Sequence, residues 1–438
     1  MTIVELLDEK PINNVIGALE FRPDKLVYVG NLSENTFARK KLPVLKNFFR
    51  EKSMENIEIE YRNVSKESLA GMIKTLEDIY EQNCDCKFHV EITGGDDLLL
   101  VALGVLCQRH PSIELYRFSS RLRNLRPFTL EGDGKNRAIT CSNSVEENLI
   151  LHGASAVSSN GSNVVENGFR FDLAFIGDVG SMWEVCSRGI GKNADDFAPK
   201  KWNKITNMLA ALECAAADRD GDHCFRVSKK YMEYFKREND VFLLGEYLIE
   251  LEFRKLVSVS EDDEYLTYDF KNAQVKECLT KAGTILELKT FLVCCQLLGQ
   301  GKGDCRTGVT IDWDGKEDLA AEHKFLYDQD DPTSTVDTIN EVDVMATYGL
   351  IPYFISCKNG SFTAEELYKL YVVGEIFGRG YGKKIIVATD MDRALGDSCL
   401  AIRQRAQDMG ITIISDVHRM DDSELETVLA KAMEISKK

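Results

Sequence analysis

Short apolar runs alternate with amphipathic stretches over about the first 130 residues, the pattern of strands and helices in turn. Leu26–Val29 (LVYV) predicts a first strand. Thr36 to Glu51 predicts a helix with Phe37, Leu42, Leu45, Phe48 and Phe49 inward, interrupted at Pro43. Ile57–Tyr61 is a second strand, and Lys66 to Tyr80 a helix with Leu69, Ile73, Leu76 and Ile79 on one face. Phe88–Ile92 is a third strand, followed at once by Thr93-Gly94-Gly95-Asp96 and a helix over Asp97–Cys107. Ile113–Phe118 is a further strand. These elements imply an open, mostly parallel sheet with helices on its faces.

The texture then changes. Turn residues cluster at Gly132-Asp133-Gly134 and at Ser158-Ser159-Asn160-Gly161-Ser162-Asn163. From Trp202 to Asp269 the chain reads as helical, closing with a helix that ends near Lys255, two short strands and a polar turn at Glu261-Asp262-Asp263-Glu264. That pattern fits a winged-helix-like connector or a helical spacer with a hairpin. A long helix over VKECLTKAGTILELKTFLVCCQLL opens the last part. Strands at Arg306–Trp313, Thr338–Thr347 and Ile351–Cys357 follow, then a helix at Thr363–Phe377, a strand at Lys384–Thr389, another helix and a strand at Ile411–Ile414. The division expected is 1–150, 151–270 and 271–438.

Bulk properties add exclusions. The N-terminus MTIVELLDEKPINN has no basic start and apolar run, so it is not a signal peptide. No apolar stretch reaches the ~18–20 residues that span a bilayer, and Leu98–Cys107 reads instead as a buried helix. The 13 cysteines form no CxxC pair, and neither Cys84/Cys86 nor Cys294/Cys295 has a zinc-ligand partner at finger-like spacing. Free cysteines in a reducing cytoplasm are expected. A net charge of −17 argues against a constitutive nucleic-acid binder but leaves room for a local basic groove.

The candidate chemistry lies in the last part. Glu287 sits on a helix apolar on almost every side, where a lone carboxylate is costly unless it is paired, with Lys289 or Lys358, or holds a metal. Side chains alternate along a strand, so Glu341 and Asp343 share a face, as do Ser356 and Lys358. The short turn Tyr348-Gly349-Leu350 predicts an antiparallel hairpin that can bring Asp343 near Lys358. Clustered carboxylates hold Mg²⁺ or Mn²⁺, and a nearby lysine offsets charge in a phosphoryl transition state. On spacing alone, these remain equally readable as solvent-facing polar positions on a hairpin.

A helix glutamate, a strand aspartate, a strand ending in lysine, then helix and strand resemble the PD-(D/E)xK nuclease fold of restriction-endonuclease type over residues 271–415. The resemblance implies metal binding by Asp343 and Glu287, support from Glu341, and Lys358 as the catalytic lysine. One departure is Ser356, where that family carries an acid.

At the other end, strand, Thr93-Gly94-Gly95-Asp96 and helix make a tight turn, which serves either packing or an anion at a helix N-terminus. It is neither GxGxxG nor a P-loop. With the nuclease-like part, the chain resembles the CRISPR-associated Rossmann-fold (CARF) nucleases, cyclic-oligoadenylate-activated effectors of type III CRISPR defence. That resemblance implies a homodimer with a cyclic tetra-adenylate in a twofold pocket. It implies ligand contacts at Thr93, Gly94, Gly95 and Asp96, and at Gly30, Asn31 and Ser33. Asp96 is expected to cap its helix or hydrogen-bond a ribose. The implied activity is ligand-switched, metal-dependent cutting of single-stranded DNA or RNA. The rival readings are an unregulated repair or restriction nuclease, a ligand-sensing transcription regulator, and a sensor with an inactive nuclease domain.

Overall fold

The computed structural model describes residues 1–83, 88–119, 123–159, 173–191, 195, 197–232, 238–299, 303–313, 315, 339–360, 362–389, 391 and 398–435. Cys84, Cys86, Asn160 to Asn163 and Thr338 lie outside the described residues.

The N-terminal sheet is built from β1 (Thr2–Leu6), β2 (Lys25–Gly30), β3 (Glu58–Asn63), β4 (Phe88–Glu91), β5 (Glu114–Ser119), β6 (Asn124–Thr129), β7 (Gly132–Asp133) and β8 (Arg137–Ala138). Its order is β3-β2-β1-β4-β5-β6-β7, with β8 beside β6. The first five strands of that order run parallel, and β6 turns back antiparallel on β5. The order reverses between β1 and β4, so a crevice opens beyond their carboxyl ends.

This corrects the strand count. The sheet begins not at Leu26 but at β1, in its middle. Every residue of β1 is buried. A strand covered on both faces shows no alternation, and the polar Thr2 and Glu5 break its apolar run. The interruption at Pro43 takes the form of a widened turn: Phe37–Lys41 is π-helical, and Pro43, with no N–H to donate, stands in the first turn of the α-helix Leu42–Glu51 that continues from it.

The other correction concerns the long helix after residue 271, which is two helices, Ala273–Thr280 and Thr284–Leu298. Gly283 caps the second and cannot continue the first without cost.

β9 (Ser155–Ser159) comes next in the chain. After it in the chain come the strands of a three-stranded antiparallel sheet, β10 (Cys224–Ser228), β11 (Val257–Glu261) and β12 (Tyr265–Phe270), in the order β10-β12-β11. The β11–β12 hairpin matches the sequence pattern. β10 was not legible there.

The C-terminal sheet contains β13 (Gly303–Asp312), β14 (Ile339–Tyr348), β15 (Ile351–Lys358), β16 (Lys383–Ala388) and β17 (Ile411–Ile414), in the order β17-β16-β15-β14-β13-β9. β14 and β15 form the expected antiparallel hairpin, with Val344 opposite Ile355. β15, β16 and β17 run parallel, with the helix Ala364–Gly378 crossing between the first two.

Trp202 and Tyr247 from the connector join Phe291, Tyr353 and Ile355 in one buried cluster. Connector and C-terminal sheet therefore share a core, which favours their moving together.

Candidate active site and ligand cleft

β14 and β15 deliver Asp343 and Lys358 to one place. The Lys358 ammonium lies 3.6 Å from Asp343 Oδ2 and 3.0 Å from Glu366 Oε2. Asp343 Oδ2 also accepts hydrogen bonds from the Ser356 hydroxyl at 3.1 Å and the Cys357 backbone N–H at 2.6 Å. The serine that stands in place of an acid is thus a donor to the aspartate. Burial works to lower the Lys358 pKa, but Asp343 and Glu366 hold it above its ordinary value. The lysine is a cation here, suited to charge compensation rather than to proton abstraction.

Glu287 stands in the first turn of its helix, over this spot. Burial and the neighbouring Asp343 and Glu341 push its carboxyl up to about 8. It does not pair with Lys289, whose ammonium bonds Asp422 at 2.6 Å. Glu341 shares the strand face of Asp343 but is exposed, opposite Thr310 in the sheet.

Among the described residues, no three His, Cys, Asp or Glu are gathered closely enough to hold a metal ion. The donors are nevertheless hard oxygens. The repulsion that favours protonated Glu287 is what a divalent cation beside Asp343 would relieve. In chemistry the residues fit such an ion.

The second site is the crevice where the N-terminal sheet reverses order. A cleft of about 790 Å³ opens there, lined on the sheet side by Asp8, Lys10, Asn31, Lys41, Gly95 and Asp96. Its opposite wall is the end of the helix Ala364–Gly378, with Glu375, Ile376 and Arg379.

The turn after β4 is held tightly. Gly95 has φ +102°, and a Cβ there would lie 2.7 Å from Leu6 Cβ. A Cβ on Gly94 would lie 2.6 Å from Asp8 Cβ. The Gly95 N–H donates to Asp8 at 3.2 Å. Asp96 caps the helix Asp97–Arg109, accepting from the Leu98 N–H at 3.0 Å.

Thr93 points the other way. Its hydroxyl and N–H both donate to the buried Glu91, and its oxygen accepts the Phe118 N–H at 2.7 Å. Gly30 packs against Leu7, and Ser33 caps the short helix Glu34–Thr36. Of the seven ligand-contact residues expected, Asn31, Gly95 and Asp96 line the cleft. The structure uses Thr93, Gly94, Gly30 and Ser33 to shape the loops around it.

No protein-family model matches the sequence, and comparison with curated proteins found no match. Solved structures do match. The crystal structure of VC1899 from Vibrio cholerae aligns with TM-score 0.70 at 14% identity, covering 99% of this chain and 98% of that one. Can2 from Sulfobacillus thermosulfidooxidans, solved in complex with cyclic tetra-adenylate, aligns with TM-score 0.63 at 16% identity over 99% of each chain. The chain shares the overall fold of both.

Within this fold, several contributors escaped the sequence reading. Glu366, the second partner of Lys358, is by sequence position one of two acids in a helix's first turn. Lys10, Lys41 and Arg379 are far apart in the sequence. Asn359, next to Lys358, accepts the Thr389 hydroxyl at 2.7 Å and exchanges amide hydrogen bonds with Asn203 of the connector at 2.5 and 2.6 Å. Residue spacing carries no signal for pairs 156 positions apart. Among the described residues, no helix is long and apolar enough to cross a membrane.

Proposed function

We propose that this protein is a metal-dependent nuclease of type III CRISPR defence, switched on by cyclic tetra-adenylate bound in the cleft of the N-terminal sheet. The observation that carries the reading is Asp343 beside Lys358, beneath the carboxyl of Glu287. The ligand assignment draws support from Can2, which shares the fold and was solved with that ring.

In this reading Asp343 and Glu287 would hold Mg²⁺ or Mn²⁺, and the ion would supply Lewis acidity toward the scissile phosphate. Lys358 offsets the charge that grows on the phosphate oxygens. Glu366 holds the lysine in place. Two chains pair about a twofold axis so that each half-cleft meets half of a symmetric ring. Single-stranded DNA or RNA is the substrate class.

The test is cleavage of labelled single-stranded DNA and RNA with Mn²⁺, with and without cyclic tetra-adenylate, by the wild type and Lys358→Ala. Ligand-dependent cutting lost in the variant supports the reading. Cutting without ligand rejects the switch. No cutting at all favours the sensor with an inactive nuclease domain, for which Ser356 in the acidic position is the motivating observation.

A further inference from the structure

One helix touches both sites. Ala364–Gly378 has 15 residues, or about 22 Å at 1.5 Å per residue. In its first turn Glu366 bonds the Lys358 ammonium at 3.0 Å. At its other end Glu375, Ile376 and Arg379 form one wall of the cleft. Between them Leu367, Leu370, Val373 and Phe377 are buried. Gly374 presses so closely on Lys384 of β16 that a Cβ would come within 2.5 Å of its side chain. A helix packed in this way transmits displacement from end to end.

The cleft end is densely charged. Lys10, Lys41, Lys66 and Arg379 line it, and none has an ion-pair partner among the described residues. Four carboxylates also line it, but three are committed elsewhere. Asp8 accepts backbone N–H groups of Gly95 and Lys10, Asp96 caps a helix, and Glu375 bonds Lys384. Glu9 is exposed at the rim. Arg379 itself sits at φ 40°, ψ 52°, the left-handed region where a residue with a Cβ is strained. A glycine would serve that cap better.

We propose that Arg379 is a phosphate contact for the activator, contributed by the nuclease domain, and that the helix it caps relays its engagement to Lys358 through Glu366. The inference rests on the reading in which the cleft takes cyclic tetra-adenylate and Lys358 serves cleavage. Without an anion, Lys41 and Arg379 repel each other, with Glu9 and Asp8 offsetting part of that repulsion. A bridging phosphate draws the helix end toward the sensor sheet and resets the Glu366–Lys358 pair at the other end. Glu366 is a positioning residue in this scheme. The ligand shifts the equilibrium only because it binds the drawn-in state more tightly.

The experiment measures cyclic tetra-adenylate affinity by calorimetry and, separately, the ratio of cleavage with and without it. It uses the full-length wild type, Arg379→Gly and Glu366→Gln. Arg379→Gly relieves the strained cap, so its fold should hold, and a melting curve checks this. The expected result is a loss of affinity of about tenfold or more in Arg379→Gly. Glu366→Gln should bind like the wild type while its activation ratio falls about tenfold. Wild-type affinity in Arg379→Gly, or a wild-type ratio in Glu366→Gln, overturns the relay and leaves the proposed function standing. A wild type that neither binds the ring nor cuts overturns the proposed function, and the relay with it.

Discussion

The Asp343 carboxylate reaches Lys358, 3.6 Å away, across the antiparallel strands β14 and β15, and the same oxygen accepts the Cys357 N–H. The aspartate is therefore fixed by backbone as well as by charge, and its direction does not depend on the lysine.

Removal of either partner should separate their roles. Lys358→Ala should lower the cleavage rate by roughly a hundredfold or more, the scale of losing one group that stabilises transition-state charge. Asp343→Asn should do so too, and should also abolish the rise in melting temperature that Mn²⁺ gives the wild type. Calorimetric melting with and without Mn²⁺ checks the difference. A wild-type Mn²⁺ response in Asp343→Asn would remove the aspartate from the metal site.

Metal removal gives a second check. Chelation by EDTA should stop cleavage, and added Mn²⁺ or Mg²⁺ should restore it. Cyclic tetra-adenylate should still bind under EDTA, because the cleft lies beyond β1 and β4, apart from the Asp343 carboxylate. Loss of ring binding on chelation would contradict the separation of the two sites.

Glu5 and Glu91 lie in register on β1 and β4, both buried. Burial raises both carboxyls, that of Glu91 to about 8, with Asp8 adding to it. A folded-state pKa above the unfolded one means that the folded protein binds more protons between pH 4.5 and about 8. Stability from this source is full below that window and is lost as pH rises through it. Glu91→Gln keeps an oxygen for Thr93 and carries no charge. The variant should lose less melting temperature than the wild type between pH 6 and 8.5. Parallel melting curves would remove Glu91 from this account.

Gly95→Ala should both destabilise the fold and damage the cleft. At φ +102° the new Cβ meets Leu6 of the central strand. The cost should be about 2 kcal/mol or more, combining a left-handed conformation with a core clash. Denaturant unfolding reads the first effect, and ring binding at a temperature where the variant is folded reads the second.

Much of the nuclease-like centre was legible because strand alternation has a fixed period. Asp343 and Lys358 follow from it once Tyr348-Gly349-Leu350 is read as a turn. The Asp96 cap follows from its place before a helix. β1 was not legible, since a doubly covered strand carrying a buried glutamate shows neither alternation nor a clean apolar run. Glu366 and Arg379 were hidden for another reason. Each is unremarkable on its own helix, and their meaning comes from what packs against the two ends. The Asn203–Asn359 pair depends on tertiary contact alone.

β9 has a consequence for how this chain can be divided. Residues 155–159 supply the edge strand of a sheet whose other strands begin at residue 303, and it pairs along β13 from Val309 to Asp312. A recombination breakpoint anywhere between them would leave β13 with a bare edge, a row of unpaired amides open to any passing strand. A fragment that starts at residue 271 should aggregate where the whole chain does not. The two ends of the chain are thus inherited together, because the chain is threaded through its own C-terminal sheet before that sheet is built.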